Sequence, residues 1–183
     1  MPWFLFRCII CTVVILMFTE MNLLSIYCDE DEQTSNMQVD YKTYQNNKYR
    51  FSMILPSTWA FWENVDRYAI LAESNEDDVC ISIIVADIPA YVTPAEFMKR
   101  NMLAMKNQFP LFKLVEEGSI ALLDGEIPYI YYQCQIEEGF TDHYAFALLK
   151  YGRACVMTGS GNEKTIIKYK AVFERVAKSI KLK

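Results

Sequence analysis

A chain of 183 residues with net charge −5 and a hydrophobic fraction of 52% has the material for one domain with an ample core. Setting aside Arg7 and Glu20 from the 18 basic and 23 acidic residues leaves 17 and 22, and without the run Asp29-Glu30-Asp31-Glu32 the body stands at −1. That balance lacks the dense basic footprint of a nucleic-acid binder, so no nucleic-acid partner is expected.

Arg7 is followed by the uncharged stretch Cys8 to Phe18, then Glu20, Asn22 and a second apolar run, Leu23 to Tyr27. A basic start before an apolar core reads as a secretory signal peptide. Residues 2–27 are also long enough to span a bilayer, with Glu20 and Asn22 costly near its centre. Arg7 before the segment and four acids after it put the body across the membrane from the cytoplasm, periplasmic or at the cell surface. Leu24-Ser25-Ile26-Tyr27-Cys28 resembles a lipobox but has Tyr27 where a small residue belongs. Lipidation of Cys28, a looser cleavage and an uncleaved membrane anchor are therefore three readings of residues 1–28. A start at Met17 or Met21 would instead leave a cytosolic protein. Residues 29–40 form a polar, acidic linker, and residues 41–183 form a single domain.

Within that domain, Tyr49 to Leu55 alternates like a strand that Pro56 ends, and Tyr41 to Tyr44 can pair with it as a hairpin. A strand is expected at Tyr68 to Ala72, before the acidic turn Glu73 to Asp78. Val79 to Asp87 is a β-branched run fit for a central strand. Thr93-Pro94-Ala95-Glu96 starts a helix, with Thr93 as cap, Pro94 in the first turn and Glu96 completing a capping box. That helix should reach about Gln108, with Phe97, Met98, Ala104 and Met105 on one face. A meander follows: Lys113 to Leu123, the Asp124-Gly125 hairpin signal, Glu126 to Ile136, Phe140 to Leu149, and Arg153 to Thr158 after the turn Tyr151-Gly152. A last helix is expected from about Glu163 to Ser179, with Ile166, Tyr169, Phe173, Val176 and Ile180 facing the sheet. Strands in hairpin series with two helices predict an α+β fold, an antiparallel sheet covered by helices.

Tyr49-x-Phe51-Ser52-x-x-Leu55-Pro56-x-x-Trp59, the Asp124-Gly125 hairpin with its tyrosine-rich strand, and Tyr169…Phe173…Ser179-Ile180 carry a likeness across residues 41–183. On these motifs the chain resembles the PsbP-like family, which includes extrinsic photosystem II proteins, bacterial envelope lipoproteins such as DcrB, and a Ran-binding nuclear transport factor. The resemblance implies an α-β-α sandwich around an antiparallel sheet. It implies architectural roles for Pro56 and Trp59, the ring plugging the sheet edge with lining a groove as the alternative, and it transfers no activity.

Chemistry is sparse. His143, the lone histidine, reads as a surface or half-buried strand residue. Ser160 lies outside any Gly-x-Ser-x-Gly context. Gly159 to Thr165 reads as a tight turn with an Asn162 cap, and its helix N-terminus is at most a weak anion site. Glu73, Glu76, Asp77 and Asp78 read as a solvated turn and lack the pattern of a calcium loop. Cys80, Cys134 and Cys155 each lie in apolar strands and read as small buried hydrophobes, a bridge between two of them being the alternative. No cofactor, metal site or catalytic residue is expected. On the last helix Lys164, Lys168, Arg175 and Lys178 lie opposite the apolar stripe and form a candidate contact for anionic lipid or an acidic partner. The expected function is a non-enzymatic, membrane-tethered or exported binding and assembly module of the cell envelope, with an unknown protein partner. The alternative is a carrier or chaperone holding an apolar ligand or hydrophobic segment in an aromatic-rich groove.

Overall fold

The computed structural model describes residues 39–109, 111–123, 125–136 and 139–183. Residues 1–28 with Cys28, and the linker up to residue 38, lie outside the described residues.

The expected hairpin forms, with β1 (Tyr41–Asn46) antiparallel to β2 (Phe51–Pro56) in a register from Tyr41↔Pro56 to Asn46↔Phe51. Phe51, Met53 and Leu55 alternate inward, and Pro56 closes the strand at its end, where a missing N–H costs least. This pair stands apart from the main sheet. Its third strand is β10 (Lys181–Leu182), which pairs with Ser52 and Phe51 and is too short to show any period in sequence.

The main sheet has seven strands in the order β3-β4-β5-β9-β8-β7-β6, all neighbours antiparallel. They are β3 (Ala60–Val65), β4 (Tyr68–Glu73), β5 (Val79–Asp87), β6 (Lys113–Leu122), β7 (Gly125–Ile136), β8 (Gly139–Lys150) and β9 (Arg153–Gly161). β5 is interior, between β4 and β9, as its β-branched run predicts. β3 was not expected. As an edge strand with half-buried and exposed positions, it lacks the alternation that marks strands over a core.

Helix α1 (Pro94–Gln108) begins as its sequence implies: Glu96 N–H donates to Thr93 Oγ1 and Thr93 N–H to Glu96 Oε2, each at 3.2 Å. It packs on β7 and β8, where Phe97 and Met98 meet Ile130, Tyr132, Ala145 and Ala147. Helix α2 (Glu163–Ser179) is capped by Asn162, whose side chain accepts from Thr165 N–H at 3.1 Å. Ile166, Tyr169, Phe173, Val176 and Ile180 are all buried, as the spacing predicts. The helix lies on the opposite face from α1 and touches β2, β5, β6, β8 and β9, so it joins the small sheet to the large one. The α+β class and the helix-covered antiparallel sheet hold, with two sheets where one was expected.

Trp59 is buried beside α2, its ring 5.7 Å from that of Tyr169. Gly159 on β9 lies directly under Phe173, and a Cβ there would come within 2.6 Å of the ring. Gly125 opens β7 at φ +147, a conformation that side chains rarely adopt. Cys134 and Cys155 are free and buried, which excludes a bridge between two of the three body cysteines. Cys80 is buried in an apolar cluster with Tyr68, Leu71 and Ile84 as expected, but it is disulfide-bonded and so not a free thiol.

Trp59→Ala should cost about 3–5 kcal/mol in urea unfolding, the range for truncating a buried aromatic ring. Gly159→Ala should cost about 1–3 kcal/mol by forcing Phe173 off β9. A loss below about 1 kcal/mol for the tryptophan change would show that its ring does not clamp α2.

Candidate functional site

The four cations expected to form a contact surface do share one exposed stripe of α2. Three of them already have partners inside the domain. Lys168 Nζ lies 2.6 Å from Asp77 Oδ2, which also accepts from the Tyr169 hydroxyl at 2.7 Å. Lys178 Nζ is 3.9 Å from Glu174 Oε2, and the Arg175 guanidinium covers the Tyr41 ring at 4.3 Å. Lys164 is exposed at the first turn. Beside the stripe, Lys170 Nζ approaches Glu116 Oε2 at 3.5 Å. The acidic turn is thus a socket for the helix rather than a freely solvated loop. The bonds from Lys168 and Tyr169 hold the Asp77 carboxyl below its ordinary range. Among the described residues no group of three or more His, Cys, Asp or Glu is placed to hold a metal ion.

His143 departs from expectation: it is 1% exposed, on the α1 side of β8. Its Nδ1 lies 2.8 Å from Ser160 Oγ and its Nε2 3.0 Å from Thr141 Oγ1, and the ring stacks on Tyr132 at 4.9 Å. Ser160 therefore does have a neighbouring base, supplied by the pairing His143↔Ser160 across β8 and β9. That register was legible, since counting back from the Tyr151-Gly152 turn pairs the same two residues. A catalytic serine also needs its histidine oriented and charge-balanced by an acid, together with donors for an oxyanion. Here a threonine hydroxyl holds the second ring nitrogen. Asp142, the next carboxylate along the strand, accepts on the other face from the Tyr131 hydroxyl at 2.6 Å and from Gln133 Nε2 at 2.9 Å. The cavity beside His143 measures about 70 Å³, room for roughly two waters at liquid density. The arrangement satisfies a buried imidazole with two hydroxyl partners. Asn162 caps the turn before α2 as expected, its side chain accepting from Thr165 N–H at 3.1 Å.

A larger concavity, about 670 Å³, opens at the other end of the large sheet, where the β1–β2 turn meets the β8–β9 turn and the end of β5. Lys48, Arg50, Arg153 and Lys183 line it against one acidic side chain, Asp87. Arg153 forms the floor: its guanidinium donates to the backbone oxygens of Tyr49 and Lys183, and its Nε is 3.9 Å from Asp87 Oδ1. Both turns carry left-handed residues, Arg50 at φ +49 and Tyr151 at φ +55. Lys48, Arg50 and Lys183 have no carboxylate partner among the described residues. Sequence reasoning missed this cluster because its members are scattered from position 48 to position 183, and only the closure of the small sheet by β10 gathers them.

No family model and no curated protein matches the sequence. Solved structures do match in shape. The cyanobacterial PsbP (CyanoP) of Synechocystis sp. PCC 6803 superposes with TM-score 0.62 at 14% identity, over 84% of this chain and 98% of that one. The fold is PsbP-like. The PsbP-like arrangement recurs in the Ran-binding protein Mog1p of Saccharomyces cerevisiae, with TM-score 0.59 at 9% identity over 79% of this chain and 96% of that one. It recurs again in LpqN of Mycobacterium tuberculosis, a protein involved in cell envelope biogenesis, with TM-score 0.56 at 8% identity over 79% and 91% of the two chains. At such identities a shared PsbP-like fold carries architecture alone.

The Asp77 socket gives a pH test. A carboxyl held below its ordinary range stabilises the fold fully above that range, and the contribution is lost as pH falls through it. Asp77→Asn should therefore lower the urea midpoint near neutral pH, and its gap from wild type should narrow below about pH 4. A gap of equal size at both ends would show that the carboxylate charge is not what docks Lys168 and Tyr169.

Proposed function

We propose that this chain is a non-enzymatic binding and assembly module of the cell envelope, exported or tethered to a membrane by its N-terminal segment. The observation that carries the reading is the cationic concavity: Lys48, Arg50 and Lys183 have no carboxylate partner among the described residues, whereas Lys168, Lys170 and Lys178 on α2 each have one. The PsbP-like fold supports it, since solved proteins of this shape include a Ran-binding protein and one involved in envelope biogenesis. The imidazole of the Ser160–His143 pair, engaged on both sides by hydroxyls, favours binding over catalysis. The carrier alternative has less support, because Tyr129, Tyr131, Tyr144 and Phe146 pack on one another beneath α2 instead of lining a groove.

Among the described residues no helix is long and apolar enough to cross a membrane, and the proposed tether is residues 1–28. Cys28→Ala should release the protein from membranes or block its processing if that sulfur carries lipid. Peptide mapping of Cys28 would separate a lipid thioether from a disulfide to Cys80, which sequence allows with Cys8, Cys11 or Cys28. Affinity capture of the tagged full-length chain from native envelope, against a mock capture, should enrich a reproducible protein partner from the membrane fraction. A native protein found wholly soluble, with no enriched partner, would sink the proposal.

A further inference from the structure

The concavity between the two turns differs electrostatically from the outer face of α2. Along α2, Lys168, Lys170 and Lys178 each face a carboxylate, and the helix keeps little unbalanced charge. Around the concavity, Lys48, Arg50 and Lys183 stand exposed without one among the described residues, while Arg153 is engaged by main-chain oxygens and Asp87. Like charges held around one concavity repel, and an anion that enters relieves the repulsion. Aromatic surface accompanies the charge: the Lys48 ammonium lies 5.1 Å from the Tyr49 ring, and Lys150 lies 5.5 Å from the exposed ring of Tyr151.

We propose that this cleft binds an extended acidic segment of a partner protein, its carboxylates on the cations and its backbone against the tyrosine faces. The inference rests on the binding-module reading above and names the chemistry of the partner. Two features select a peptide. The cations come from a turn, a strand end and the residue after β10, so they suit charge spread along a chain better than one compact anion. They also line a concavity, and a flat membrane surface would meet only its rim.

The test uses the full chain in non-ionic detergent, with binding of a rhodamine-labelled hexaglutamate peptide followed by anisotropy. Wild type is compared with Lys48→Glu/Lys183→Glu in the cleft and Lys168→Glu/Lys178→Glu on α2, and Lys183→Glu alone stands in should the cleft pair fail to fold. The peptide should bind wild type at about 20 mM salt and weaken markedly by about 200 mM. The cleft pair should weaken it by about tenfold or more, and the α2 pair by less than about twofold. No binding by wild type, or equal loss in both pairs, overturns the inference. So does the cleft pair losing binding to phosphatidylglycerol vesicles while its peptide binding is unchanged, which would assign the cleft to lipid. An envelope partner still captured by the cleft pair removes the cleft and leaves the binding-module reading standing.

Discussion

The contact on which the rest depends is the seating of α2 against β9, where Phe173 lies on a backbone position with no side chain of its own. The absent Cβ at Gly159 lets the helix come down far enough to touch β5, β8 and β9 with one edge and β2 with another. Two sheets that share no hydrogen-bonded ladder are thereby sealed around one core, from Met53 and Leu55 through Phe173 and Val176 to Ile83 and Phe146. Asp77 and Trp59 act on the same helix, the first by holding Lys168 and Tyr169 and the second by packing on Tyr169.

The cleft is a consequence of this seal. Joining the sheets on one side leaves a gap at the end where the β1–β2 turn and the β8–β9 turn approach, and Arg153 bridges that gap through backbone oxygens and Asp87. A structural arginine at the floor with exposed cations around it is a division of labour: one charge holds the walls, and the others remain available to solvent. The opposite end, around His143, is closed by hydroxyl partners and a small cavity. The two ends of the same sheet thus differ in what they can admit.

Most of the architecture was legible because it rests on periodicity and local turn chemistry. Thr93-Pro94-Ala95-Glu96 and the stripe from Ile166 to Ile180 specify their helices through neighbours in sequence. β3 escaped because an edge strand has no buried face to advertise, and β10 because two residues cannot show a period. His143 was misplaced because burial of a polar ring depends on partners across the sheet, which a hydropathy pattern does not weigh. The α2 cations could be read as a stripe, but their neutralisation by Asp77, Glu116 and Glu174 depends partly on residues more than fifty positions away. The cleft was illegible for the same reason.

The pairing of β10 with β2 bears on the order in which the molecule can be completed during synthesis. Phe51 and Ser52 are among the first described residues to be made, and Lys181 and Leu182 among the last. Ile54 N–H likewise waits for the hydroxyl of Ser179. The small sheet therefore cannot close while the ribosome still holds the end of this stretch, and contacts of such separation are slow to form. Until β10 arrives, β2 presents an open edge with unpaired backbone groups, the kind of edge on which strands of other chains can add.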